Sequence, residues 1–400
     1  MLTAGDGAPE RDRRPGPLDG IRVIELGTAI AGPYVAELLC LLGADVIKIE
    51  RPGGGDPIRQ WRVDRGPLPF IQMNAGKRSI ALDLTQPAAA GVVKRLIERS
   101  DVFVHNAKPG WLERIGLGGE DCLKLNPRLV YLAISGFGGV GPFGLRPAYD
   151  TAGQAFGGLL ALLSGQGRPV TGPTLADLGT GLVATAGVLA GLTARERAGR
   201  GTVVETSLVE GVTALIADLF AHQQALNAEP NFATRARQSQ IYPMQTADRG
   251  YIMIHLSTSQ PFFVALMNAA GRPDLITDQR FAAYQDRVIN HEQLYAELTP
   301  AFAGRSREEW EKILTEHGVP NSLVLGLGEI MAHPQFEALD LFRDTEPATG
   351  LRLVGPPWRF DGHRGGEGRT TFEVGQHTGE ILAEFFDADE RARLSEAGIG

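Results

Sequence analysis

The chain has 400 residues, of which 43% are hydrophobic and 22% charged, and its formal net charge is -8. This length exceeds what one hydrophobic core usually serves, so we expect a large domain and a smaller one. The acidic balance argues against a general nucleic-acid or membrane-surface binder. Cys40 and Cys122 lack paired spacing, which suits a reducing compartment and predicts neither a disulfide framework nor a zinc ribbon.

The ends and the apolar runs of the chain bear on its location. Residues 1–17 are polar and rich in Pro and Gly, which predicts a disordered tail rather than a signal peptide. No uninterrupted apolar run approaches the roughly 20 residues needed to cross a bilayer. We therefore expect a cytoplasmic protein without membrane or nucleic-acid partners.

The first half of the chain alternates between predicted strands and helices. Residues 21–26 and 45–50 are short β-branched runs on either side of a helix that has Pro33 in its first turn. Further strands are predicted at 80–84, 101–105, 129–134 and 202–206, and helices at 87–99 and 208–224. This alternation is typical of an α/β fold with a Rossmann-like parallel sheet, in which ligands bind beyond the carboxyl ends of the strands.

The glycine-rich turns do not match nucleotide-binding motifs. Residues 27–32 read GTAIAG and lack the spacing of a dinucleotide fingerprint, and the glycines at 136–141 lead into Pro142 rather than into a helix. The sequence also contains no phosphate-binding loop of the Walker type and no clustered Cys and His ligands. We therefore expect neither a nicotinamide cofactor nor a metal.

The second half of the chain has a different pattern of predicted elements. Residues 226–240 are polar and are predicted to form a linker, and a hairpin follows at 241–245 and 251–256. Ser306 and Glu309 have the spacing of a capping box at the start of a helix. We predict a small α+β domain at 241–339, while residues 18–225 and 340–400 form the large α/β domain.

One carboxylate, Asp177, stands out within the small-residue segment from Arg168 to Ala194. It precedes a run of Gly, Ala, Thr, Val and Leu that is typical of a close-packed buried helix, a place where an unpaired acid is rare. Asp177 could cap that helix, which is the commoner role of such an acid, or it could be a catalytic nucleophile. The segment alone leaves both roles open and favours the cap.

A set of motifs gives the chain its resemblance to a known family. They are LDGIRVIELGTAIAGPY, DVIKIERPGGGDPIR, NAGKRSIALDL, the N-x-K-P-G loop at 106–110, LNPRLVYLAISGFG, Tyr149-Asp150, LADLGTG, GRGTVVETSL and the GQHT at 375–378. In this order, from Leu18 to the C-terminus, they resemble the family III CoA-transferases, also called the CaiB/BaiF type. The resemblance shifts the balance on Asp177 from a cap to a nucleophile.

The resemblance implies an acyl-transfer mechanism for Asp177. The carboxylate would attack an acyl-CoA thioester to form a mixed anhydride, and CoA would then form an aspartyl-CoA thioester that passes CoA to an acceptor acid. Small neighbours such as Ala176, Gly179 and Gly181 would allow close approach, and their N–H groups are candidates for binding the oxyanion. Succinyl-CoA is the expected donor, because it is a common donor in this family.

The resemblance also implies sites for the CoA thioester and an oligomeric state. Arg51, Lys108 and Arg114 would meet the phosphates or the adenosine end, and Lys77 and Arg78 are further candidates that could equally be solvated surface residues. The CoA groove would be lined by Ile30, Ala31, Leu82 and Asn106. Tyr149 and Asp150 would lie near the reacting thioester. The family architecture is an interlocked homodimer, although a pairing with an unlike chain stays open.

The sequence departs from its relatives at four places. Ile30 stands where formyl-CoA transferases have glutamine, and residues 237–240 read RQSQ instead of a glycine loop, so formate or oxalate is not the expected substrate. The related α-methylacyl-CoA racemases use a histidine where Tyr149 stands and a glutamate near Ser259. A racemase needs a proton-transfer group on each face of the α-carbon. Racemisation is therefore the second hypothesis, and a non-catalytic CoA-binding subunit is the third.

Overall fold

The structure is a computed structural model that describes residues 16–64, 66–164, 171–345, 350–366 and 369–399. Most of the predicted tail and Arg168 lie outside these residues. The chain forms two compact units. The large unit takes the described residues up to Leu159, those from Thr171 to Ala217 and those from Gln335 onward, and the small unit takes 160–164 and 218–334. The predicted domain boundaries, after 225 and before 340, differ from these divisions.

The large unit contains a six-stranded sheet. Its strands are β1 Arg22–Leu26, β2 Asp45–Glu50, β3 Arg78–Ala81, β4 Val102–His105, β5 Val130–Ser135 and β6 Thr202–Ser207. They lie in the order β3-β2-β1-β4-β5-β6, and every neighbouring pair is parallel. This sheet confirms the predicted parallel α/β class. Strand β3 begins two residues before the predicted position, because the polar Arg78 and Ser79 pair with β2 although they interrupt the apolar pattern.

Helices connect these strands. They are α1 Ala31–Leu41, α2 Leu68–Asn74, α3 Pro87–Glu98, α4 Trp111–Arg114, α5 Gly119–Leu125, α6 Asp150–Phe156, α7 Leu159–Ser164, α8 Leu175–Ala198 and α9 Leu208–Leu215, with a 3-10 helix at Pro57–Gln60. Gly43, with φ of 107°, follows α1 in a left-handed conformation that glycine adopts readily. The predicted helix at 208–224 is interrupted, because α9 ends before Ile216.

The small unit combines a three-stranded antiparallel sheet with helices. Its elements are α10 Ala217–Leu226, α11 Phe232–Gln238, β7 Ile241–Gln245, β8 Tyr251–His255, α12 Gln260–Ala269, a 3-10 helix at Pro273–Ile276, α13 Tyr284–Ile289, α14 His291–Phe302, α15 Arg307–Glu316, β9 Asn321–Leu323 and α16 Leu327–Ala332. The predicted hairpin is β7–β8, and the Ser306 capping box begins α15. The predicted linker at 226–240 instead holds α11, which begins with a capping box between Asn231 and Thr234.

The last part of the chain adds four elements and a final helix to the large unit. These are α17 Pro334–Leu339, β10 Phe342–Asp344, β11 Arg352–Val354, α18 Thr378–Phe385 and α19 Ala388–Glu396. Helix α18 follows a hydrogen bond from the backbone N–H of His377 to the carbonyl of Ser79, which ties it to β3. Ile381, Leu382 and Phe385 of this helix share one apolar core with the sheet.

Helix α8 is a core element of the large unit. Its length and apolar composition would suffice to cross a bilayer, but half of its most apolar stretch is buried within the protein. It packs against α1, α6, α9, β5 and β6. Core helices of this kind have the same composition as membrane spans, so the composition of α8 does not indicate a membrane.

Candidate active site

The strand order has a switch point between β1 and β4, and we call the carboxyl ends of the strands there the carboxyl edge of the sheet. The chain moves from β1 to β2 and β3 on one side and then returns to β4 on the other side of β1. Ligands of open α/β sheets bind at such a switch point, beyond the carboxyl ends of the two strands. The segments that follow β1 and β4 meet here, since the Asn106 side chain accepts from the N–H of Thr28 at 2.9 Å and donates to its carbonyl at 2.8 Å.

Four predicted groove residues lie around this edge. Ile30 and Ala31 begin α1 and are buried, Leu82 follows β3 and is buried, and Asn106 follows β4. Helix α1 has no side-chain cap, and within the described residues the N–H groups of Ala31 and Gly32 have no hydrogen-bond partner. Free N–H groups at a helix start attract anions and carbonyl oxygens.

Three predicted cations are available at the same edge. Arg51 follows β2, Lys108 follows β4, Arg114 ends α4, and all three side chains are exposed. In the part of the chain that the structure describes, none of them forms an ion pair. The side chains are therefore free to meet phosphate groups, which bind well to Arg and Lys.

Lys77 and Arg78 are not available for a ligand. Lys77 is buried and its Nζ lies 2.7 Å from a carboxylate oxygen of Glu25. Arg78 forms ion pairs with Asp45, Glu380 and Glu384. Both candidate roles in CoA binding are therefore wrong, because these cations are already neutralised by carboxylates of the fold.

A buried ion network supports the turn between β1 and α1. Nζ of Lys48 lies 2.7 Å from Glu25 and 3.1 Å from Asp56, and it donates to the carbonyl of Gly27 at 2.9 Å. Asp56 in turn accepts from the N–H of Ala29, a residue with φ of 61°. Burial acts to lower the pKa of Lys48, but its acidic neighbours raise it above the ordinary value. Lys48 therefore stays charged and holds the turn.

Asp177 lies in the first turn of α8, a helix that packs against α1. The N-cap position belongs to Thr174, so the capping role considered for Asp177 is wrong. Leu178 packs against the cluster that contains Ile30, and a Cβ on Gly181 would meet the Tyr34 ring at 2.7 Å. Burial and the negative charge of Asp150 raise the pKa of Asp177 to about 7. The helix N-terminus acts in the opposite direction and favours the anion.

Asp150 contacts the backbone at the start of α8. Its Oδ1 accepts from the N–H of Ala176 at 2.8 Å and from that of Asp177 at 3.1 Å. The neighbouring Tyr149 is 79% exposed, so its ring is free to meet a ligand. The N–H of Ala176 is thus occupied, and Gly179 and Gly181 lie inside the helix, where their N–H groups serve the helical hydrogen bonds. The structure therefore contradicts an oxyanion-binding role for these three N–H groups.

His105 is a polar group at this edge that the sequence did not single out. It ends β4, is 7% exposed, and its Nδ1 accepts from the N–H of Ala107 at 3.2 Å. Burial lowers its pKa to about 4, so the ring is neutral and carries its proton on Nε2, which has no hydrogen-bond partner. A lone histidine in a strand carries no motif, and only the structure reveals this unpaired donor.

The segment at 237–240 is held in place within the small unit. Gln240 is fully buried with φ of 50°, and its Oε1 accepts from the hydroxyl of Tyr242 at 2.7 Å. The carbonyl of Gln238 accepts from the hydroxyl of Tyr284. This segment is therefore fixed by side chains where a glycine loop would be free to move.

Comparison with known proteins decides the family. The family model described as CoA-transferase family III matches residues 18–378. The chain belongs to CoA-transferase family III. A succinyl-CoA--D-citramalate CoA-transferase of Chloroflexus aurantiacus is 34% identical, with 94% of this chain and 96% of that protein covered. The succinyl-CoA:glutarate CoA-transferase of Mus musculus is 33% identical, with 94% and 88% covered.

A solved structure agrees with the family assignment. A CaiB/BaiF family protein from Brucella suis superposes with a TM-score of 0.82 at 30% sequence identity, with 93% of this chain and 100% of that chain covered. The predicted membership of the CaiB/BaiF type is therefore confirmed. As a family III CoA-transferase, the protein acts on CoA thioesters.

Proposed function

We propose that this family III CoA-transferase moves CoA from succinyl-CoA to a short dicarboxylic acid, with Asp177 as the nucleophile. The observation that carries the proposal is a partly buried carboxylate of raised pKa in the first turn of α8, whose next residue, Leu178, packs against the cluster that contains Ile30. The donor and the acceptor class follow from relatives that are named for succinyl-CoA and for citramalate or glutarate.

The proposed reaction has four steps and ends with the Asp177 carboxylate regenerated. An Asp177 carboxylate oxygen attacks the thioester carbonyl carbon, the C–S bond breaks, and CoA leaves as the thiolate. The thiolate attacks the Asp177 carbonyl of the mixed anhydride, and succinate leaves. The acceptor carboxylate then attacks the aspartyl-CoA thioester and releases the thiolate again. Finally, the thiolate attacks the acceptor's carbonyl, which regenerates the Asp177 carboxylate and yields the new acyl-CoA.

The placement of the other residues supports a CoA site at the carboxyl edge of the sheet. Arg51, Lys108 and Arg114 would bind the phosphates, since they are exposed and unpaired cations. The groove would be formed by Ile30, Ala31, Leu82 and Asn106, and Tyr149 would face the thioester.

We also propose that the protein is a homodimer. Leu175, Leu182 and Val183 are 36%, 47% and 39% exposed and lie on the side of α8 that the large unit leaves open. An apolar stripe of this kind on a core helix is typical of a surface that another chain covers. A second copy of this chain is the proposed occupant, as the family resemblance implies.

A trapping experiment tests the role of Asp177. We expect that incubation with succinyl-CoA, followed by hydroxylamine, converts Asp177 into its hydroxamate, which intact-mass and peptide mapping detect. Asp177→Asn should show no adduct, whereas Asp121→Asn, which removes an exposed carboxylate paired with Lys124, should react like the wild type.

Other outcomes would point to the other hypotheses. An unmodified Asp177 across a panel of acyl-CoA thioesters would contradict the proposed nucleophile. Exchange of the α-proton in heavy water would then identify a racemase. CoA binding without either reaction would identify a non-catalytic subunit.

A further inference from the structure

Helix α8 receives its N-terminal cap from another helix. Thr174 at the N-cap position makes no side-chain hydrogen bond, although the first N–H groups of a helix need external acceptors. The acceptor is Oδ1 of Asp150, which binds the N–H groups of Ala176 and Asp177 from the start of α6. The peptide on which the Asp177 side chain is built is therefore anchored directly to Asp150.

Asp150 is itself held in one orientation. It is 7% exposed, and its second oxygen, Oδ2, accepts from Nε2 of Gln154 at 2.5 Å. The same amide donates to the carbonyl of Pro173 at 3.0 Å, just before α8. Gln154 therefore links α6, the Asp150 carboxylate and the segment that enters α8. An acceptor with both oxygens engaged is preorganised.

The negative charge of Asp150 also acts electrostatically on the Asp177 carboxylate. Neither carboxylate forms an ion pair within the described residues, and burial together with the Asp150 charge raises the pKa of Asp177. The other titratable side chains on the elements packed against α8 are Tyr34, Glu37 and Cys40 on α1, Glu210 on α9, Tyr131 on β5 and Glu205 on β6. Among these neighbours, Glu37 is paired with Arg369. Asp150 is the charged residue that raises the pKa of Asp177.

We propose that Asp150 is the positioning residue of Asp177: its carboxylate caps α8 from α6 and fixes the turn that carries the nucleophile. The proposal rests on the proposed function, in which Asp177 attacks the thioester. A more basic carboxylate is a better nucleophile, provided that it is ionised at the working pH. Asp150 acts through Asp177 and needs no contact with substrate.

The variant Asp150→Asn removes the charge and the acceptor for Gln154 but keeps the acceptor for α8. Its amide oxygen can still accept from the N–H groups of Ala176 and Asp177, but the negative charge is gone. We expect the acid limb of the pH profile of kcat/KM to move down by about one pH unit, because the pKa of Asp177 falls. At pH 9, where Asp177 is ionised in both proteins, kcat should fall about tenfold, and Asp150→Glu should restore part of it.

A matched control removes another acid that lies against α8. Glu210→Gln deletes the charge of an α9 carboxylate and keeps an oxygen that can accept from the Ser207 hydroxyl. Its acid limb should stay at the wild-type pH. Equal effects of Asp150→Asn and Glu210→Gln would overturn the proposal, as would an unchanged acid limb in Asp150→Asn.

A titration without substrate separates this proposal from the proposed function. In protein carrying 13C-labelled aspartate, the Asp177 carboxyl signal, assigned by its loss in Asp177→Asn, should titrate near pH 7 in the wild type and at lower pH in Asp150→Asn. A single step near pH 4 would overturn the proposal even if no Asp150 variant folds. Titration of Asp177 near pH 7 without any trapped Asp177 adduct would uphold the positioning role and refute acyl transfer.

Discussion

Asp177 destabilises the folded protein when it is ionised. Its pKa is about 7 in the folded state against 3.8 for a solvated aspartate, so the folded protein binds the proton more tightly than the unfolded chain does. The stabilising contribution of the protonated acid is complete below pH 3.8 and is lost as the pH rises through 7. We expect Asp177→Asn to increase the free energy of unfolding by about 2 kcal/mol at pH 8, and the gain to vanish near pH 4.

Urea unfolding of the wild type and Asp177→Asn at pH 4, 6 and 8 measures this difference. The control is Asp121→Asn, an exposed acid whose removal should leave the stability within about 0.5 kcal/mol at each pH. A gain for Asp177→Asn that does not depend on pH would contradict the raised pKa.

Single residues also show what sequence reasoning could find. Asp177 was singled out because an acid at the start of an apolar run is unusual, and the structure places it at the start of a core helix. Its cap could not be predicted, because Asp150 lies 27 residues earlier in the chain and reaches α8 only through tertiary packing. The ion pair of Lys77 could not be predicted either, because its partner Glu25 lies 52 residues away in the chain. Lys77 therefore looked free to bind a ligand.

At the scale of elements, the packing of α8 against α9 depends on the small size of Gly211. A Cβ on Gly211 of α9 would lie 2.2 Å from Oγ1 and 2.7 Å from the backbone Cα of Thr180 on α8. The backbone of a core helix cannot move away cheaply. We expect Gly211→Ala to lower the free energy of unfolding by about 3 kcal/mol and to displace the first turns of α8, so that activity falls as well.

Gly91→Ala is the matched control for this substitution. Gly91 lies in the interior of α3, is exposed, and has no atom within 4 Å of the added Cβ. Alanine should therefore stabilise the protein by about 0.5 to 1 kcal/mol through its helix propensity. Thermal unfolding of both variants tests the pair. Equal shifts of Tm would show that the contact between α8 and α9 is looser than the structure indicates.

At the scale of the whole molecule, the order of strands and helices was largely predictable. The six strands of the sheet have alternating helices between them, and their apolar runs are short and bounded by turns, so the parallel class followed from the pattern. The boundaries of the two units were harder to predict from the sequence. Helix α11 lies in a polar segment, and its capping box uses Asn231 and Thr234 rather than the more recognisable Ser and Glu pair.

The proposed homodimer is the prediction that involves the entire molecule. Light scattering should give twice the chain mass of 42.9 kDa, because the open apolar side of α8 would otherwise face water. We expect the double substitution Leu182→Glu and Val183→Lys to give monomers, since charges at the centre of an interface cannot be solvated. The matched control is Ile289→Glu, which changes a 78% exposed apolar residue of the small unit and should leave the dimer intact. A wild-type protein that is monomeric at micromolar concentration would refute the dimer, because the stripe on α8 would then be stable in water.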